Sequence, residues 1–274
     1  KIKNYKISND IAFKVNLSYE KKLKILIQPL NLEDKIVYSI VENIKNREPT
    51  KLIINCLTGS RHIDNSIINQ ISSYDKIKEE FIHVIDPKPR LFIVGAVHIA
   101  QALISLAKTA DFEIILIDPR DHFATKDRFP NCKIINEWPD TALSNFILDK
   151  STHLVTLTHD PKIDDPALIY TLKKDIGYIG SLGSKKTHNK RCERLIDIGF
   201  CQSDLSKIHG PIGLNIKAKT PAEIAISIMA EIINFRRSKN SLNFGDLDAT
   251  ADALQRANIE LHLLVNFFVV LLRS

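Results

Sequence analysis

The feature that most constrains this chain is an apolar run, a glycine, a helical stretch and a second apolar run, all between residues 91 and 118. Residues 91–94 (LFIV) are fully apolar, Gly95 breaks the run, residues 98–108 carry helical spacing, and 113–117 (EIILI) are apolar again before Asp118-Pro119. A strand that is apolar on both faces must be covered on both faces, and an intervening helix returns the chain to a parallel neighbour. Further strands are expected at 133–135, 153–157 and 177–179, with helices at 166–174 and 185–198. Thr220-Pro221-Ala222-Glu223 forms a capping box with proline at the first helical position, which predicts a last helix to about Arg237. The expected class is α/β: a Rossmann-like, doubly wound parallel sheet with helices on both faces, over residues 87–239.

A smaller α+β domain is expected before it, over residues 1–86. Residues 23–27 read as a strand ended by Pro29, and 31–48 carry Leu32, Ile36, Ile40, Val41 and Ile44 at helical spacing. Residues 51–57 and 81–85 are β-rich, and the boundary falls at Asp86-Pro87-Lys88-Pro89, where two prolines hold the path extended. The tail, 240–274, predicts a helix over 249–272 whose last third is apolar on nearly every side, suited to packing or to a dimer contact. Its polar face lacks the Lys/Arg density of membrane-surface helices. The chain starts at Lys1 and its only methionine is Met229, so the first domain is read as truncated, in a fragment or an alternatively started product.

Composition narrows the function. With 44% hydrophobic and 26% charged residues the chain is an ordinary folded protein. The longest apolar run, 261–272, is interrupted by His262 and Asn266 and falls short of a membrane span. Residues 1–10 show no secretory pattern, and four cysteines without a CxxC pair fit a reducing cytoplasm. The net charge of +6 is spread out, with no RNP aromatics and no helix-turn-helix, so an anionic small molecule explains it as well as nucleic acid does. No HExxH and no GxSxG are present, which argues against a structural metal site and a serine hydrolase. No catalytic constellation emerges, and the chain is read as a non-enzyme.

Three corners carry candidate site residues. In Gly95-Ala96-Val97-His98-Ile99-Ala100, Gly95 and Ala100 satisfy the first and third positions of a dinucleotide fingerprint, but Val97 fails the second, where a diphosphate would approach the backbone. This disfavours NAD(P), although helix-terminal amides still favour an anion. Asp118 follows Gly95 by 23 residues, the distance of a ribose-holding carboxylate, and Arg120 could instead pair with it or meet a phosphate. His159-Asp160 closes a strand at the ligand edge; the pair could orient a polar head group, or Asp160 could cap the turn before Pro161. In Gly180-Ser181-Leu182-Gly183-Ser184, the glycines would let amides converge, Ser184 could cap the helix or donate to an anion, and Lys185, Lys186, Arg191 and Arg194 add positive charge.

Taken in order, LFIVGAVHIAQAL, IILIDPRDHFATKDRFP, VTLTHDPKIDD, YIGSLGSKKTHNKRCERL and HGPIGLNIKAKTPAEIAISIMAEII resemble the xanthine dehydrogenase accessory protein family, called XdhC/CoxI-like. The resemblance implies a cytoplasmic chaperone that binds molybdenum cofactor and delivers it to a xanthine dehydrogenase-type molybdenum hydroxylase. A cysteine desulfurase is a further expected partner; the apolar tail suggests a homo-oligomer, and composition and patterning suggest no nucleic acid and no membrane. The family's glycine turn falls on Gly95, Ala96, Val97 and His98, its acid–arginine pair on Asp118 and Arg120, its His-Asp on His159 and Asp160, and its second turn on Gly180, Gly183 and Ser184. The glycine-cysteine-glycine segment that the family carries before a strand like ILIQPL is replaced here by Ser18-Tyr19-Glu20-Lys21. Two other readings stay open: a degenerate copy acting as a partner-binding module, and an NAD(P)-dependent oxidoreductase.

Overall fold

The computed structural model describes residues 2–7, 21–29, 33–64, 66, 72–130, 132–238 and 267–272. The chain divides into two compact units, one comprising residues 1–87 with 240–274 and the other 88–239.

The first unit contains β1 (Ile2–Ile7), β2 (Lys21–Pro29), α1 (Lys35–Lys45), β3 (Thr50–Asn55), β4 (Arg61–Asp64), β5 (Ser73–Asp75) and β6 (Glu80–Ile85). β3 pairs antiparallel with β4 and β6, and β5 closes that sheet against β6. Its core is Leu26, Leu52, Ile54, Cys56 and Phe81, with Ile36 and Ile40 of α1 packed on it. Helix α1 starts later than the apolar spacing predicts, because the Asp34 carboxylate accepts the Ile36 amide at 2.8 Å and caps the helix there. The expected tail helix is corrected in part: residues 249–266 lie outside the described residues, and Phe267–Leu272 is a strand that pairs antiparallel with β2. Six consecutive aromatic, β-branched and leucine residues suit a strand as well as a helix, and periodicity alone does not separate the two.

The second unit runs β7 (Arg90–Val94), α2 (His98–Thr109), β8 (Glu113–Ile117), β9 (Lys133–Ile135), α3 (Pro139–Ser144), β10 (Thr152–Thr156), α4 (Pro161–Leu172), β11 (Tyr178–Ser181), α5 (Lys185–Asp197), α6 (Gln202–Leu205), β12 (Ile208–His209) and α7 (Pro221–Ser238). The strand at 267–272 completes the series as β13. The six strands of this unit are all parallel, in the order β9-β8-β7-β10-β11-β12. This is the doubly wound 3-2-1-4-5-6 order, whose direction reverses between β7 and β10.

Strand alternation sorts the core onto two faces. Leu91 and Ile93 of β7 join Leu116 of β8 and pack with Ala100, Leu103 and Ala107 of α2 and with Ala225, Ile228 and Ile232 of α7. Phe92 and Val94 join Ile115, Ile117 and Leu154 and pack with α3, with Ile163, Ala167 and Leu168 of α4, and with Leu195 of α5. All of these side chains are buried. Each contributes roughly 1.5–3 kcal/mol by leaving water. The helices thus cover both faces and leave the C-terminal edge of the sheet as the place where loops converge.

Candidate anion-binding site

At the end of β7 the chain turns through Gly95, whose φ of +109° is a conformation that L side chains rarely adopt. A Cβ there would lie 2.5 Å from Thr158 Cγ2, so the backbone passes hard against the neighbouring β10 loop. The Ala96 amide donates to Asp118 Oδ2 at 2.7 Å. Asp118 is fully buried and also accepts from the Arg120 amide (3.0 Å), Nε (2.9 Å) and Nη2 (2.8 Å). Burial by itself would raise its pKa; the bonds from the Arg120 side chain, the Ala96 amide and the Arg120 amide outweigh it and hold the carboxyl below the usual aspartate value. The Arg120 guanidinium lies over the Phe123 ring, 4.3 Å from its centroid. Both carboxylate oxygens are therefore spent on the protein's own turn. Of the roles read for Asp118 and Arg120, their mutual pair is the one formed in the structure. Val97 is the residue before α2 and offers no side-chain cap, and His98 opens that helix exposed to solvent.

The β10 corner is organised by a buried carboxylate that the sequence reading missed. Asp164 accepts Thr158 Oγ1 at 2.6 Å and the amides of Thr158 and His159 at 3.3 and 3.1 Å. These bonds hold His159 at a positive φ of 64°, with its ring exposed. Burial raises the Asp164 pKa, against the pull of the Thr158 hydroxyl and the Arg191 charge. Asp160 accepts the Lys162 amide at 2.9 Å and is the N-cap of α4. The helix therefore begins at Pro161, five residues before the proline that the periodicity selects. Asp160 has the capping role.

At the β11 corner, Gly180 needs correcting: it lies inside the strand, buried, where a Cβ would meet Ile212 Cδ1 at 2.4 Å. It is a packing glycine and does not gather amides. Gly183, at φ +142°, makes the turn, and Ser184 caps α5 by accepting the Thr187 amide at 3.2 Å. Beneath it the Thr156 and Ser181 hydroxyls pair at 2.5 Å, satisfying two buried polar groups where the strands end.

Between the β10 and β11 corners lies a cavity of about 230 Å³. His159, Pro161, Asp164 and Asp165 line one side of it, and Lys186, Thr187, Lys190, Arg191 and Arg194 of α5 the other. Arg194 and Asp165 face each other as a bidentate pair at 2.6 and 2.9 Å. Arg191 is buried, and its Nη2 donates to the Leu182 carbonyl at 2.9 Å. Of the residues singled out in the sequence, His159, Lys186, Arg191 and Arg194 line this cavity, with Asp160 and Ser184 capping the two helices that flank it. Gly95, Ala96, His98, Asp118 and Arg120 do not line it. Lys190 was missed, although Lys186, Lys190 and Arg194 share one face of a helix at i, i+4, i+8. No group of three or more metal-binding side chains is found among the described residues. No helix among them is long and apolar enough to cross a membrane.

Strand order, flanking helices and the position of the cavity define a Rossmann-like domain with a cation-lined cleft at its ligand edge. Residues 91–232 match the model of the XdhC Rossmann domain family, and the chain belongs to that family. It is 33% identical over 165 residues to a Bacillus subtilis protein named as a probable subunit of xanthine dehydrogenase, covering 60% of this chain and 48% of that protein. It is 28% identical over 150 residues to the molybdenum cofactor insertion chaperone PaoD of Escherichia coli, covering 55% of this chain and 41% of the relative. The chain thus matches less than half the length of either. A crystal structure described as a xanthine dehydrogenase from Bacillus halodurans shares the fold, with a TM-score of 0.60 at 24% identity over 78% of this chain and 76% of that one.

Proposed function

We propose that this chain binds the molybdenum cofactor and delivers it to a molybdenum hydroxylase of the xanthine dehydrogenase type. The observation that carries the reading is the cation-lined cavity at the sheet's ligand edge, between the first turn of α4 and one face of α5. Family membership and the similarity to a protein named as a molybdenum cofactor insertion chaperone supply the ligand class. The residues fit such a group: lysine and arginine side chains suit a phosphate, and the positive ends of two helices reinforce them. The cavity is smaller than the roughly 300–1,000 Å³ of a pocket that engulfs a whole ligand. It would hold a head group and leave the pterin ring against the strand-end loops beside His159. Delivery needs no proton transfer from the protein, so the absence of a catalytic constellation from the sequence reading is no obstacle.

The test is anaerobic. Molybdenum cofactor released from a donor protein should co-elute with the chain and raise its melting temperature. No co-elution and no thermal shift at cofactor concentrations well above micromolar would remove the proposal.

A further inference from the structure

Folds with this strand order bind a dinucleotide's diphosphate where the order reverses, here between β7 and β10. In this chain the groups beside that crevice are bonded to one another. Gly95 abuts Thr158, the Ala96 amide is bonded to Asp118, and Asp118 is bonded to Arg120. The open space lies one strand further along, between α4 and α5.

Arg191 is the unusual group there. Its side chain is 2% exposed, its charge is permanent, and its Nε and Nη1 have no hydrogen-bond partner among the described residues. Buried charged donors are seldom left unbonded, because the loss of hydration has then been compensated by nothing. The nearby carboxylates are already committed. Asp164 takes the Thr158 hydroxyl and the two loop amides, and Asp165 takes Arg194 in a fork. With Arg194 neutralised by Asp165, the lining retains Lys186, Lys190 and Arg191 against Asp164 alone. Arg191 is the seventh residue of α5 and lines the cavity opposite Asp164 in the first turn of α4.

We propose that Arg191, with Lys186 and Lys190 at the mouth, is the receptor for a phosphate-class oxyanion in the cavity between α4 and α5, displaced by one strand from the dinucleotide crevice. The inference stands without the cofactor reading; where that reading also holds, the cofactor's phosphate is the occupant.

The test titrates the full chain with inorganic pyrophosphate, and in a second arm with ADP, by calorimetry and thermal melting. Wild type should bind saturably and melt at a higher temperature with ligand, with affinity falling as salt rises. Arg191→Met, close to isosteric, should weaken binding on the order of tenfold or more, since a buried charge contact is lost. Lys190→Glu, on an exposed side chain, should weaken it without touching the core and covers the case in which Arg191→Met does not fold. Equal affinity for pyrophosphate and ADP supports recognition of the phosphate itself, and tighter ADP binding supports the same site with a nucleotide as source. Absence of binding to either at millimolar concentration overturns the inference, as does binding that neither variant weakens. Molybdenum cofactor binding that survives both variants leaves the proposed function standing and removes only this site.

Discussion

A single methyl group closes the first glycine corner. Because a Cβ on Gly95 would meet Thr158 Cγ2 at 2.5 Å and φ is +109°, Gly95→Ala carries two separable costs. Thr158→Ser removes the methyl while keeping the hydroxyl that Asp164 accepts. The double variant should therefore regain the side-chain part of the steric cost and retain the backbone strain, roughly 1–3 kcal/mol by urea denaturation, with the contact to the Thr158 nitrogen at 3.2 Å. Equal stability of the single and double variants would show that the contact is not what requires glycine. The same closure predicts that Val97→Gly, which restores the fingerprint, will not create saturable NAD(H) binding, because Asp118 remains committed to Ala96 and Arg120. Asp118 also sets an acid limit. Its folded pKa lies below the unfolded value of about 3.9, so its contribution is complete above that value and is lost as pH falls through the folded one. Stability measured from pH 7 to pH 3 should drop more steeply for wild type than for Asp118→Asn, which lacks that contribution throughout. The sequence spacing offered both roles for the Asp118–Arg120 pair. What it lacked was Thr158, a contact 63 residues away from Gly95 that no local pattern reports.

Element starts were legible where the cap lies next to the periodic run. The Thr220-to-Glu223 box forms as read, with the Glu223 carboxylate accepting the Lys219 and Thr220 amides and Thr220 Oγ1 accepting the Glu223 amide at 3.3 Å. Thr220→Ala should lower stability by about 1 kcal/mol, seen as an earlier melting midpoint with an unchanged fold. Helix α4 was harder because it holds two prolines, and Pro166 sits inside the helix. Proline marks a first turn equally well at 161 or 166; the cap decides, and only Asp160 has an amide to accept. Asp160→Ala should cost a similar amount. An Asp160→Ala chain as stable as wild type would mean that Pro161 alone starts the helix. β11 was misplaced for a different reason. Glycine punctuates local structure, yet Gly180 is demanded by Ile212 packing across it from another loop, and the strand continues through to Ser181.

At the scale of the molecule, alternation of apolar runs and helices was enough to read a doubly wound sheet, because each parallel neighbour requires a covering helix between. It could not locate the cavity. That space is lined by two separate segments of the chain, 159–165 and 186–194, and their juxtaposition is set by packing and not by spacing along the chain. The same packing leads to a prediction about independence. Both core clusters of the second unit are drawn from residues 91–232, the six parallel strands lie between 90 and 209, and every side chain lining the cavity lies between 159 and 194. We therefore propose that residues 88–239 form an autonomous domain, of a size usual for one hydrophobic core. Expressed alone, this segment should unfold in one cooperative transition, with coincident far- and near-ultraviolet circular dichroism. Its pyrophosphate affinity should lie within about threefold of the full chain's, about 0.6 kcal/mol, because no lining residue is lost. Non-coincident transitions would show that the core needs the rest of the chain. Cooperative unfolding with lost affinity would show that a group outside 88–239 completes the anion site, and the receptor would then have to be redrawn to include it.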